Sequence, residues 1–331
     1  MRVTNRMLSN NFLSDMRTNL NNMKTLQSQL SSGKEIRRPS DDPFKTARIM
    51  QLNTDISANK QYNENISDTI NWLDATDTSL DQVTQSFQRI RELVISSGNS
   101  AYGSDERRAI KDELNQKVSE ISQILNANFD GKYVFGGSKV TSKPLGVKDI
   151  DANGNKGLFF AGKDGEELSL NSPDIIMSSQ MDMIKQKLPV EVSQGVTMDY
   201  NVSAYDVLNF TSEKGKQINV SNLLNNIISN LDSKSPDAQG KLTGENLEDL
   251  TSAASNILKI RAEVGAKQNR MDSAKDKNTE ENYNLTEVLS NTEDIDITQK
   301  TMEYSTMQTV YMASLQTSAK IIQPSLMDYL R

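Results

Sequence analysis

Residues 43–98 read PFKTARIMQLNTDISANKQYNENISDTINWLDATDTSLDQVTQSFQRIRELVISSG, and their spacing decides the fold. Ile49, Leu52, Ile56, Asn59, Asn63, Ile66, Ile70, Leu73, Thr76, Leu80, Val83, Phe87, Ile90 and Val94 step by three and four, and all but Asn59, Asn63 and Thr76 are apolar. That stepping keeps one face of a helix buried over its whole length. The pattern predicts one helix of roughly 75 Å at about 1.5 Å per residue. Ser40-Asp41-Asp42-Pro43 supplies acceptors for its free N-terminal amides and a proline suited to a first turn, while Gly98 and Gly103 mark its end. A second helix is expected from Ser104 to Asn128, with Ile110, Leu114, Val118, Ile121 and Leu125 on one face and acidic residues in its first turn.

A weaker stripe of the same period lies near the other end: Leu250, Ala254, Ile257, Arg261, Val264, Gln268, Met271, Lys275, Asn278, Asn282, Leu285 and Leu289. Its polar stretch at Lys275–Asn282 matches the interruption at Asn59 and Asn63. Antiparallel packing with the numbers of facing residues adding to about 338 brings these stretches together. Between the helical halves, residues 130–216 are rich in glycine, carry Pro144, Pro173 and Pro189, and contain short segments such as Lys132–Val134, Leu158–Ala161 and Val196–Val202 that read as strands. A short helix, Val220–Leu231, and a linker, Pro236–Gly244, return the chain to the long C-terminal helix. The ends are helical too, with seams at Met16, Leu20, Met23 and Leu30 and at Leu315, Ala319, Ile322, Leu326 and Tyr329. The fold expected is mainly α with a β-rich insertion, a long antiparallel helical rod or coiled coil formed by both chain ends. Three parts follow: terminal coiled-coil helices at 1–40 and 294–331, a helical rod at 41–133 and 241–293, and an outer β-rich domain at 134–240.

Composition limits what such a chain does. It has 331 residues, of which only 35% are hydrophobic, and it contains neither histidine nor cysteine. Zinc sites built from those residues, disulfides, and Ser-His or Cys-His nucleophiles are excluded. A net charge of -7 without a basic cluster argues against nucleic acid as a partner. No run of about 18 apolar residues is present, so membrane insertion is not expected. Met1–Leu30 lacks the charged, apolar and small-residue segments of a Sec signal.

The chemically suggestive motifs have simpler explanations. Asp149-Ile-Asp-Ala-Asn-Gly154 starts like a calcium loop, but the twelfth position is Phe160 rather than Glu, and a tight turn is expected. Gly136-Gly137 is followed by no Lys-Ser/Thr pair and reads as a turn rather than a phosphate loop. Asp41-Asp42 and Glu280-Glu281 read as capping and solvated residues, because neighbouring carboxylates on a helix point to different faces. No catalytic residue, cofactor or metal site is expected. The methionines along the seams, among them Met7, Met16, Met23, Met271, Met302 and Met312, suit packing that must adapt between partners.

Gln29-Leu-Ser-Ser-Gly-Lys-Glu-Ile-Arg-Arg-Pro-Ser-Asp-Asp-Pro43 resembles the N-terminal signature of the bacterial flagellin superfamily, and Gln88-Arg-Ile-Arg-Glu-Leu93 and Asp112-Glu-Leu-Asn-Gln116 are similar to helical segments of its inner rod. Met1-Arg-Val-Thr-Asn-Arg-Met7, Asp130-Gly-Lys-Tyr-Val-Phe-Gly-Gly137 and Pro324-Ser-Leu-Met-Asp-Tyr-Leu-Arg331 resemble its hook-filament junction branch, the third hook-associated proteins, more than filament subunits. The resemblance implies a structural adaptor of the flagellum, outside the cell, exported by the flagellar type III export apparatus without a cleaved signal peptide. Its implied partners are further copies of itself in a ring, the other hook-filament junction protein, flagellin, and an export chaperone. On this reading the assembly interface comprises Met7, Phe12, Met16, Leu20, Met23, Leu30, Leu315, Ile322, Leu326 and Tyr329. Arg89, Leu93 and Glu113 resemble the flagellin surface bound by an innate-immune receptor. A short filament-forming flagellin is the alternative, and a coiled-coil binding module a remote one.

Overall fold

A computed structural model describes residues 5–98, 103–151, 154–168, 175–233 and 236–321. The chain forms two compact units: a central one, Gln61–Thr279, and a terminal one built from Met1–Lys60 and Glu280–Arg331. Asn153, Ile322, Leu326, Tyr329 and the motif segments 1–4 and 324–331 lie outside the described residues.

The long helix α2 runs Pro43–Ser97. It begins where the sequence places it: Asp42 Oδ1 accepts from the Phe44 and Lys45 amides at 3.0 Å each, and Asp41 Oδ2 from the Arg38 amide at 2.9 Å. Its stripe is buried throughout except at Asn63 and Ile70, which are half-buried. Thr76 and Thr84 are buried without cost because each hydroxyl donates to the carbonyl four residues back, on Trp72 and Leu80, at 2.8 Å. Helix α3 runs Ser104–Leu125, three residues shorter than expected, because the Asn126 amide side chain leaves the helix to bridge the Leu145 backbone.

In the central unit the insertion carries only small antiparallel sheets. Strands β1 (Asn128–Phe129) and β2 (Lys132–Tyr133) form a hairpin; β3 (Leu145–Asp149), β4 (Lys156–Ala161) and β5 (Glu167–Leu168) form a three-stranded sheet. Two further hairpins pair β6 (Pro189–Ser193) with β7 (Val196–Asp199) and β8 (Asn209–Thr211) with β9 (Gln217–Asn219). Two helices absent from the sequence expectation interrupt them, α4 (Ile175–Lys185) and α5 (Ala204–Leu208). The strands are too short to make a core of their own. Leu158 and Phe160 of β4 join Leu114, Ile121, Leu223 and Ile227 in one cluster that also takes in Leu80 and Phe87 of α2.

Helix α6 (Val220–Asp232) appears as expected, but the segment read as a linker is helical: α7 (Pro236–Lys241) continues through a π turn, Leu242–Asn246, into α8 (Leu247–Glu293). Ala238, Leu242, Asn246 and Leu250 are all buried at intervals of four. Four residues overshoot an α-helical turn of 3.6, and the wider π turn absorbs the excess. Along α8 the core takes Ala253 and Ile260 where the stripe suggests Ala254 and Arg261. Arg261 instead faces α2, donating to Asp77 from Nε (3.0 Å) and Nη2 (3.2 Å) and to Asp81 from Nη1 (2.6 Å). Asp77 opposite Arg261 is the antiparallel register expected from the polar stretches. Asn278, the apparent flaw in the stripe, is buried with its amide donating to the Val192 carbonyl at 2.7 Å.

The terminal unit pairs α1 (Asn5–Ser32) with α9 (Ile297–Ile321).

The packing generates two expected outcomes. Leu80→Ala empties a fully buried site in the shared core and should cost about 2–5 kcal/mol, measured by denaturant unfolding; an exposed-site cost below about 0.5 kcal/mol would contradict that core. At the end of α6, burial alone would push the Asp232 carboxyl up, but hydrogen bonds from Asn155 (2.9 Å) and Lys111 (2.8 Å) and the Lys111 charge hold its pKa below the ordinary value. A depressed carboxylate contributes stability that is complete above its unfolded pKa of about 4 and is lost as pH falls through the folded one. The melting difference between the wild type and Asp232→Asn should therefore be constant near neutrality and vanish on acidification.

Candidate assembly surface

The stretch from Gln29 to Pro43 is a clasp. Helix α1 stops at Gly33, whose φ of 71° suits the left-handed closing position and whose amide returns to the Gln29 carbonyl at 2.8 Å. The chain then pairs with the end of α8 and the short connection that leads into α9. The Glu35 amide donates to the Glu293 carbonyl (2.7 Å), the Ile295 amide donates to the Gly33 carbonyl (3.1 Å), and Lys34 forms an ion pair with Glu293. Side chains tighten this joint: Gln29 Nε2 donates to the Glu35 carbonyl at 2.8 Å, and Lys45 pairs with Glu35 at 2.8 Å. The clasp thus makes α1 and α9 an antiparallel pair.

Two helices packed side by side shield one seam each. On α1 the half-buried positions include Ser9, Phe12, Met16, Asn19, Met23, Leu26 and Leu30; on α9 they include Tyr304, Met307, Tyr311, Ser314 and Ser318. Phe12, Met16, Met23 and Leu30 therefore lie on the seam within one chain. Met7 (57% exposed), Leu20 (46%) and Leu315 (45%) do not, and neither do Leu13, Met302, Val310 and Met312, which are also exposed. The expected interface residues thus divide into an internal seam and an open apolar face. Sequence reading missed Tyr304, Met307 and Tyr311, although their own three-four spacing was the available signal. Leu315 stands outside this seam, where α9 turns two tyrosines and a methionine inward. Exposed apolar residues therefore remain along both helices.

The remaining candidates have structural roles. Arg89 is held by Glu113 (2.7 Å from Nε) and Glu92 (3.1 Å from Nη1), which links α2 to α3. Leu93 is 5% exposed and belongs to the core beside Ile90 and Val94. Between β3 and β4 the Ile150 amide bonds to the Asn155 carbonyl at 2.7 Å, the Gly154 amide to the Asp151 carbonyl at 3.1 Å, and Gly154 has a φ of 74°. Gly137 lies against the carbonyls of Met183 and Ile184, where any Cβ would collide. Among the described residues no group of three or more acidic side chains is arranged to hold a metal ion, and no helix is long and apolar enough to cross a membrane.

Comparison with known proteins agrees with this arrangement of terminal helices around an insertion. The bacterial flagellin N-terminal helical region matches residues 3–140, and the bacterial flagellin C-terminal helical region matches residues 247–330. The flagellin of Clostridium tyrobutyricum is 23% identical over 92% of this chain and 94% of its own length. Flagellar hook-associated protein 3 of Escherichia coli is 21% identical, covering 86% of each chain. The structure of a putative flagellar hook-associated protein from Vibrio parahaemolyticus superposes with a TM-score of 0.59 at 25% identity, over 77% of this chain and all of that one. With both helical regions matched over most of its length, the chain belongs to the bacterial flagellin family and is a structural component of the flagellum.

Proposed function

We propose that this chain is a structural adaptor, not a catalyst, which joins the hook to the flagellin filament outside the cell. The observation that carries the reading is the open apolar face of the terminal helix pair, with Met7, Leu13 and Leu20 on α1 and Met302, Val310, Met312 and Leu315 on α9. A monomer gains nothing from these residues in water; burying each against a neighbour contributes on the order of 1.5–3 kcal/mol. Neighbouring copies in a ring, the other junction protein below and flagellin above are the covering partners. In this reading the terminal helices are the assembly part, the helical rod of α2 and α8 transmits torque, and the insertion faces outward. Its relatives named hook-associated protein 3, together with the Asp130–Gly137 hairpin sequence, favour the junction. Export through the flagellar type III apparatus, with a chaperone covering the C-terminal helix, accords with an apolar face that must not associate early.

A filament subunit is the second reading, favoured by the C. tyrobutyricum flagellin that this chain matches end to end. Immunogold imaging of isolated hook-filament structures separates the two: label confined to the junction supports the adaptor, and label along the filament overturns it.

Two variants test the mechanism. The chain trimmed of residues 1–36 and 294–331 should keep the melting transition of the central unit and fail to assemble; loss of that transition would refute the division. Leu20→Asp with Leu315→Asp leaves the internal seam intact, so the protein should remain helical by circular dichroism while incorporation into flagella falls by about tenfold or more.

A further inference from the structure

The central unit has a cleft of about 640 Å³ between the middle of α2, the β1–β2 hairpin and the start of β6, and neither the core nor the assembly surface accounts for it. Its floor is aromatic. Trp72, 6% exposed, meets Phe129 at a centroid distance of 6.1 Å and 87° and Tyr200 at 5.8 Å and 86°, both edge to face. The indole N–H has no acceptor among the described residues, which is unusual for a buried donor. The rim is polar and exposed: Asp68 and Asn71 project from α2, and Asp130 and Lys132 from the hairpin. None of these four side chains makes a hydrogen bond or ion pair within the described residues. Asp130 is the one described non-glycine residue at positive φ, 50°, and the tight turn fixes it at the mouth of the cleft.

The chemistry of floor and rim selects among ligands. Carboxylates accept hydrogen bonds, an ammonium donates them, and a carboxamide does both. An anion meets two carboxylates, and a cation meets Lys132 and leaves the Asn71 donor unused. An apolar fragment strands the whole rim. A sugar ring uses every element, because its hydroxyls donate and accept while its C–H face packs on aromatic surface. We propose that this cleft binds a neutral saccharide of one or two rings. The binding uses none of the assembly residues, so the cleft would give a flagellar component contact with glycans through its central unit.

Trp72 is the only tryptophan in the chain, so its fluorescence reports on the cleft alone. The full-length protein is titrated with cellobiose, lactose and N,N′-diacetylchitobiose. The expected result is a saturable emission change with at least one of them, at a dissociation constant of about 1 mM. The double variant Asp68→Ala, Asn71→Ala should weaken it by about tenfold or more; both residues are exposed, and an unchanged melting temperature confirms that the fold is kept. The absence of a saturable change up to about 50 mM of all three sugars overturns the proposal. So does an equal response in the variant, or saturation by choline chloride with none by sugar, which would make the cleft a cation site.

Discussion

One uninterrupted helix of 55 residues, α2, sets the frame on which the described structure depends. Its stripe never skips a turn, so whatever packs on it must be matched along the same line. In the central unit α8 meets it through Arg261 and Gln268, which engage Asp77, Asp81 and Asp74, and the insertion adds its apolar residues to the same cluster. Burial extends well beyond the stripe, to Thr69, Ser79, Thr84, Ser86 and Ser97. A chain with 35% hydrophobic residues can enclose that much of a helix because its small hydroxyl side chains find partners, Thr69, Ser79, Thr84 and Ser97 in their own helix backbone and Ser86 in the Glu120 carboxylate. Ser and Thr thus fill core volume without leaving an unpaired donor.

This explains what could be read from the residues and what could not. Helices α2, α3, α6 and α8 repeat their signal over several turns, and their ends carry local chemistry such as Asp42 before Pro43. Such information lies within a few positions of where it acts. The insertion is different: strands of two to six residues owe their stability to partners far along the chain, such as β4 to α3 and α6, and no short window reveals them. Helices α4 and α5 were hidden for the same reason. Arg261 looked like a flaw in an apolar stripe because its partners, Asp77 and Asp81, come from the other half of the chain.

Which terminal side chains pack within the chain was legible only in outline, for a physical reason. Apolar periodicity says that a face is covered, not by what. On α1 the pattern holds two sets of apolar residues, one packed against α9 and one exposed, and Leu20 belongs to the second although it reads like the first. On α9 the internal seam is made by Tyr304, Met307 and Tyr311, whose mixed character left more aliphatic side chains free for the outside. The backbone clasp of residues 33–35 and 293–295 fixes which face is which, since it sets how α1 and α9 meet.

The π turn at Leu242–Asn246 has a use beyond joining two helices. A helix that must line up with α2 in one part and with α6 in another cannot satisfy both at a fixed rotation of about 100° per residue. The wide turn works as a vernier: it resets the angular phase of α8 relative to the chain arriving from α6. A change in the length of the insertion can then be taken up at this turn without rotating the stripe that faces α2, so the helical frame keeps its register.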